Sequence, residues 1–185
     1  RRQLQMCIRD RNAPLFLGMS FLIVILIGAT LLSLPIASVD GNSVGFVNAF
    51  FTASSATAVT GLVVANTATQ WTMFGKVVII TLIQIGGLGT ITLFSIATVL
   101  LGRKISLQQR LLVKEQLNIT SMSGIVKWVI YVTKITFLIE FTGALLLSFS
   151  LIPKYGFKTG VWYSIFHAIS AFCNAGFDLF GDSIV

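Results

Sequence analysis

The residues of this 185-residue sequence best suited to chemistry act through their backbone. Two uncharged stretches, Val59-Thr60-Gly61 and Asn174-Ala175-Gly176, each follow a run of small and aromatic residues and each end in a single glycine. Backbone carbonyl oxygens can replace the hydration shell of a cation when several chain segments converge on one axis. Glycine suits the last position because it reaches backbone angles closed to other residues and leaves the path clear of a side chain. Neither stretch is charged, so selection among ions would rest on dipoles and not on a ring of carboxylates. The competing reading is that Gly61 and Gly176 only cap buried half-helices.

Side-chain chemistry has less to work with. His167 is the only histidine and cannot build a metal or catalytic site alone, so a packed or hydrogen-bonded role is expected for it. An intramembrane enzyme needs a nucleophile, an acid or metal ligands converging at depth, and the apolar spans offer one carboxylate, Glu140, and no cluster of His, Cys or Asp. A passive anchor subunit is the third class, and the paired glycine-ended stretches argue against it. No cofactor is expected.

The elements that would position these stretches follow from composition. Charged residues make up 10% of the chain and hydrophobic ones 55%, where soluble domains run near ~25% charged. Mean hydropathy is +0.91. Too little polar surface remains for a soluble fold, and too much apolar surface for disorder. A membrane protein is implied, with lipid as its first partner. The net charge of +7 does not point to nucleic acid, because much of it sits in residues 1–11. That segment, RRQLQMCIRDR, reads as a sequencing-adaptor scar and holds Cys7. Cys173 is the only other cysteine, so no disulfide or thiolate metal site is suggested.

Leu15–Leu34 is uncharged and covers roughly 30 Å as a helix, the thickness of a bilayer core. Val77–Leu101 is a second span, and Ile125–Ile152 a third that carries Lys127, Lys134 and Glu140. Residues 102–123 are hydrophilic and basic, which places them in the cytoplasm. Between the spans, residues 41–75 and 161–177 are uncharged and rich in small residues, too polar for lipid and too apolar for a loop. Such backbone suits re-entrant segments, which are tolerated at membrane depth only within protein or along a water-filled path. Short helices are expected at Val44–Thr57 and Gly160–Cys173, each aiming the partial negative charge of its C-terminus at mid-membrane.

An internal repeat joins these parts. At an offset of 115 residues, IGATLLS (27–33) lies over TGALLLS (142–148) with five of seven identities, and residues 46–62 lie over 161–177. The second block matches at Phe51/Phe166, Ala53/Ala168, Ser55/Ser170, Ala56/Ala171 and Gly61/Gly176. The unit is helix, re-entrant segment, helix. It spans two crossings, so both copies share one orientation, a parallel repeat about the membrane normal. The expected fold is an all-α membrane protein of repeated helix–re-entrant pore loop–helix units, as in potassium channels. Residues 12–101 form the first repeat and 102–123 the cytoplasmic linker. Residues 124–185 form a second repeat stopping after its filter segment, as a fragment of a longer protein would. Glu140 is expected to bond to the pore-helix region of its own repeat. Lys134 lies six positions from it and is not an adjacent partner. Gly86, Gly87 and Gly89 would serve either close helix packing or bending.

Four segments carry a family resemblance: SATAVTGLV (55–63), LIQIGGLGTIT (82–92), LLVKEQLN (111–118) and FHAISAFCNAGF (166–177). They resemble the Trk/Ktr/HKT superfamily of potassium transporters, and within it the membrane subunit of bacterial Ktr-type uptake systems. The resemblance covers residues 13–185. It implies four helix–pore–helix repeats in one chain, a homodimer, a cytosolic nucleotide-binding regulatory subunit and a multi-pass cell-membrane location. It also implies one filter glycine per repeat, falling on Gly61 and Gly176. The filter would then consist of Val59, Thr60, Gly61, Asn174, Ala175 and Gly176, passing potassium through backbone carbonyls. Neither copy has the full TVGYG of potassium channels. Serine at the first-repeat position accompanies sodium preference in plant relatives, so Gly61 favours potassium. Trk-type and sodium-permeable, HKT-like transport are the alternatives.

Overall fold

The computed structural model describes residues 12–89 and 125–181. The described residues are helical, with a single isolated bridge between Ser38 and Trp71. Helix α1 spans Asn12–Leu32, and a 3-10 turn follows at Pro35–Ala37. Next come α2 (Phe46–Ala58), the one-turn α3 (Thr67–Gln70) and α4 (Met73–Leu88). The long α5 (Ile125–Tyr155) and α6 (Phe157–Phe172) complete the order. Of the expected spans, the basic linker and the second half of Val77–Leu101 lie outside the described residues.

The boundaries have local causes. Helix α1 stops three residues before Pro35, which instead opens the 3-10 turn. Helix α4 begins earlier than the expected Val77 and ends at Leu88, because Gly89 adopts φ 80°. Within the span expected at Val77–Leu101, the described helix therefore ends at Leu88. Helix α5 runs through Pro153 and ends where Gly156 turns to φ 80°. Pro153 has no N–H to give to the Phe149 carbonyl and its ring crowds that carbonyl, a disturbance that falls in the last turns of the helix. Gly156 then caps α6, which starts three residues before the expected Gly160. Gly160 instead lies inside the helix, where a methyl group would come within 2.7 Å of the Ile152 Cα.

Among the described residues one helix, Lys127–Tyr155, is long and apolar enough by itself to cross a membrane, and apolar stretches at Gly18–Leu32 and Met73–Leu88 are shorter. Helix α5 presents Phe137, Leu138, Phe141, Leu146 and Phe149 to its surroundings, Phe149 with 78% exposure. Large exposed apolar side chains of this kind suit lipid contact.

Two compact units divide the residues. The smaller takes in residues 12–23, Leu88 and Gly89, and the first turns of α5, up to Lys134. Trp128 and Tyr131 meet edge to face there, 6.0 Å apart. The larger unit, Val24–Gly87 with Ile135–Val185, holds both glycine-ended stretches. Its core sets alanines of α2 against larger side chains such as Leu32, Ile79, Ile83 and Phe166. Ala49, Thr52, Ala53 and Ala56 of α2 recur at helical spacing and are all buried. Gly28 of α1 admits Leu82 of α4, whose Cδ1 lies 2.7 Å from where a Cβ would sit. The chain after α1 is tied to the start of α4. Val39 N–H donates to the Gln70 carbonyl at 3.0 Å, and Thr72 N–H to the Ala37 carbonyl at 2.9 Å. Trp71 is buried beside this junction.

Candidate functional site

Helices α2 and α6 each lead into one of the glycine-ended stretches, and the two exits are near copies. At the end of α2, Val59 N–H donates to the Ala56 carbonyl at 3.3 Å and Thr60 N–H to the Ser55 carbonyl at 3.0 Å. At the end of α6, Asn174 N–H donates to Ala171 at 3.0 Å and Ala175 N–H to Ser170 at 2.7 Å. Every donor and acceptor in the second set is the first set shifted by 115.

The dihedral angles repeat as well. Val59 and Asn174 are the only non-glycine residues with positive φ among the described residues, at 57° and 58°. Gly61 and Gly176 follow at 75° and 73°. Asparagine tolerates the left-handed region, whereas a β-branched valine there is strained. Such strain persists only where surrounding structure fixes it. Here the two α2 carbonyls hold the turn, and Gly86 of α4 lies against the Thr57 carbonyl and the Val59 side chain.

The two stretches meet. A methyl group on Gly61 would lie 2.6 Å from the Ala175 carbonyl oxygen and 3.3 Å from the Gly176 Cα. On Gly176 it would find only the Gly61 Cα, at 3.4 Å. Gly61, Ala175 and Gly176 are thus brought together by direct backbone contact, which two glycines permit. Val59, Thr60 and Asn174 are placed by the ends of their own helices. Ala175 is fully buried.

Serines that sequence reasoning did not single out as site residues support both turns. Ser55 Oγ and Thr60 Oγ1 are 2.9 Å apart, and the Ser170 hydroxyl donates to the Phe177 carbonyl at 2.7 Å. The repeat alignment pairs Ser55 with Ser170, and that was the available signal. Beyond Gly176, Asn66 Nδ2 donates to the Gly181 carbonyl at 2.6 Å while its Oδ1 caps α3 through Ala68 N–H.

Helix α4 lies along both turns. Gly87 comes up against Cys173 Sγ as Gly86 does against Thr57. Close approach is therefore the role of Gly86 and Gly87, and termination that of Gly89. Two residues before Gly86 in α4, Gln84 Nε2 donates to Glu140 Oε1 at 2.9 Å. The expectation that Glu140 bonds to the pore-helix region of its own repeat is corrected: its partner, Gln84, stands on α4. Glu140 is 5% exposed, and Gln84 Oε1 is buried without a hydrogen-bond partner. Gln84 lies within LIQIGGLGTIT (82–92), one of the segments that carry the family resemblance, but nothing in that segment points to Glu140 as its partner. Among the described residues, no three His, Cys, Asp or Glu side chains gather as metal ligands would.

Chemically, the arrangement offers two helix C-termini and two runs of carbonyl-bearing backbone in contact. Helix C-termini carry partial negative charge, so the combination favours a cation over an anion.

Known proteins bear on this geometry. A family model, TrkH, described as cation transport protein, matches residues 2–185, including the leading segment read as an adaptor scar. The Potassium/sodium uptake protein NtpJ of Enterococcus hirae is 46% identical over 179 residues, covering 96% of this chain and 40% of that protein. The Ktr system potassium uptake protein B of Bacillus subtilis is 46% identical over 172 residues, with 93% and 38% covered. Its namesake in Vibrio alginolyticus is 41% identical over 172 residues, with 93% and 37% covered. The chain spans about two fifths of the length of these relatives.

Proposed function

The chain belongs to the TrkH family of cation transport proteins, a family of membrane transporters and not of enzymes, and from that premise we propose that it carries two quarters of a potassium-selective path lined by backbone carbonyls. In this reading α1, α4 and α5 cross the membrane, α2 and α6 are re-entrant pore helices, and residues 102–123 lie in the cytoplasm. The carbonyls of Val59, Thr60, Gly61, Asn174, Ala175 and Gly176 replace part of the hydration shell of the ion. Two further repeats elsewhere in the complete protein supply the rest. The observation that carries the reading is the contact of Gly61 with Ala175 and Gly176 at the ends of two helices with matched backbone angles.

The relatives named for a Ktr system support placement in a multi-component uptake system. A homodimer and a cytosolic nucleotide-binding subunit are the partners this reading assigns to the complete protein. A second reading, that sodium shares the path, is favoured by the potassium/sodium relative.

The test is uptake by potassium-transport-deficient cells expressing the complete protein, with sodium competition at matched expression. Gly61→Ser and Gly176→Ser should lower the preference for potassium over sodium, and Lys158→Ser should not. Unchanged competition in both glycine variants contradicts the filter assignment. Sodium uptake by the unsubstituted protein, competed by potassium, decides for the second reading.

A further inference from the structure

The segment that follows Gly176 has no helix or strand to hold it, yet Phe177 and Leu179 are buried. Two side chains of α6 grip it: Ser170 at the Phe177 carbonyl, and His167 at Leu179. Leu179 N–H donates to His167 Nε2 at 3.2 Å. A backbone N–H only donates, so Nε2 must present its lone pair. His167 Nδ1 lies 2.7 Å from the Tyr163 carbonyl oxygen, which only accepts, so Nδ1 must carry the proton. These two bonds together select one neutral tautomer. The ring is also clamped. Phe180 stacks on it at 4.1 Å and 19°, with Tyr163 and Phe166 edge-on at 6.1 and 5.9 Å. Tyr155 stacks in turn on Phe180 at 6.0 Å.

The first repeat has no such strut. Thr52 stands where His167 does at the 115-residue offset, and its hydroxyl donates to the Asn48 carbonyl of its own helix at 2.9 Å. Ser55 and Ser170 match, whereas Thr52 and His167 do not. The histidine is therefore an addition to the second turn and not part of the shared design.

We propose that His167 is a positioning residue for ion selection: it fixes Leu179 and Phe180, and through the two residues between them and Gly176 it holds the second-repeat carbonyls in their ion-presenting conformation. The inference rests on the filter reading above. Glutamine and asparagine separate its parts, because a glutamine side chain ends near the position of Nε2 and an asparagine near that of Nδ1. His167→Gln keeps an acceptor for Leu179 N–H; His167→Asn leaves that buried donor unpaired.

The experiment measures potassium uptake and sodium competition for the complete protein carrying His167→Gln, His167→Asn, Phe180→Leu or Gly176→Ser, at matched membrane abundance. His167→Asn should lower the potassium-over-sodium preference about tenfold, the scale of one lost buried hydrogen bond. His167→Gln should recover most of it. A merely structural role would change abundance and leave the preference alone. An unchanged preference in His167→Asn, or an equal loss in His167→Gln, overturns the proposal. Should His167→Asn fail to accumulate, Phe180→Leu decides. It keeps both nitrogen bonds and removes the stacked ring, and its preference should fall; an unchanged value overturns the proposal. Gly176→Ser separates the two claims. Loss of preference there with none in the His167 and Phe180 variants defeats only the positioning role, and no loss anywhere defeats the filter reading too.

Discussion

Gly61 has less clearance from the second turn than Gly176 has from the first: a methyl group on Gly61 would meet the Ala175 carbonyl oxygen at 2.6 Å, while one on Gly176 meets nothing nearer than 3.4 Å. The repeat is symmetric in sequence and dihedral angle but not in clearance. Both glycines hold positive φ, so any other residue pays roughly 1–2 kcal/mol for the backbone alone. Gly61 adds a clash with backbone that cannot rotate away. Gly61→Ala should therefore impair selectivity more than Gly176→Ala, read as the sodium concentration that halves potassium uptake. The reverse order would show that clearance at Gly61 does not govern the site.

Gly86 and Gly87 differ in what they face. Gly87 meets the Cys173 side chain, and Gly86 meets the Thr57 carbonyl. Overpacking typically costs 1–3 kcal/mol. Gly87→Ala should lower the thermal midpoint of the purified protein, and Cys173→Ala should restore part of it by removing the sulfur. Gly86→Ala should destabilise without rescue by Cys173→Ala. Rescue of both, or of neither, would contradict the assigned contacts.

The Gln84–Glu140 bond joins α4 to α5. Glu140→Leu leaves the buried Gln84 amide without its one partner, a loss of about 1–3 kcal/mol. Glu140→Gln preserves an acceptor and should be tolerated better. A double-mutant cycle with Gln84→Leu should give a coupling energy of roughly 0.5–3 kcal/mol. A coupling near zero would mean that the two side chains act independently.

Much of this organisation was legible in the sequence because the repeat has a long period and two matching blocks. The offset of 115 pairs Gly61 with Gly176, and the structure gives them φ values of 75° and 73°. It also pairs Val59 with Asn174, residues of such different chemistry that no motif would equate them, although both turn left-handed. Helix ends were less legible. Apolar periodicity says nothing about where Gly89 or Gly156 changes hand, and those two glycines set the ends of α4 and α5. The contact between α4 and α5 was not legible at all. Gln84 is one polar residue in an apolar helix, and its partner Glu140 is 56 positions away.

The central claim is that a cation sits against the backbone of these two turns. Its most direct test is a structure of the complete protein with rubidium or thallium, located by anomalous scattering. The account predicts density bordered by the carbonyls of residues 59–61 and 174–176, on the side where Gly61 and Gly176 meet. Density absent there and present instead beside Glu140 and Gln84 would contradict it.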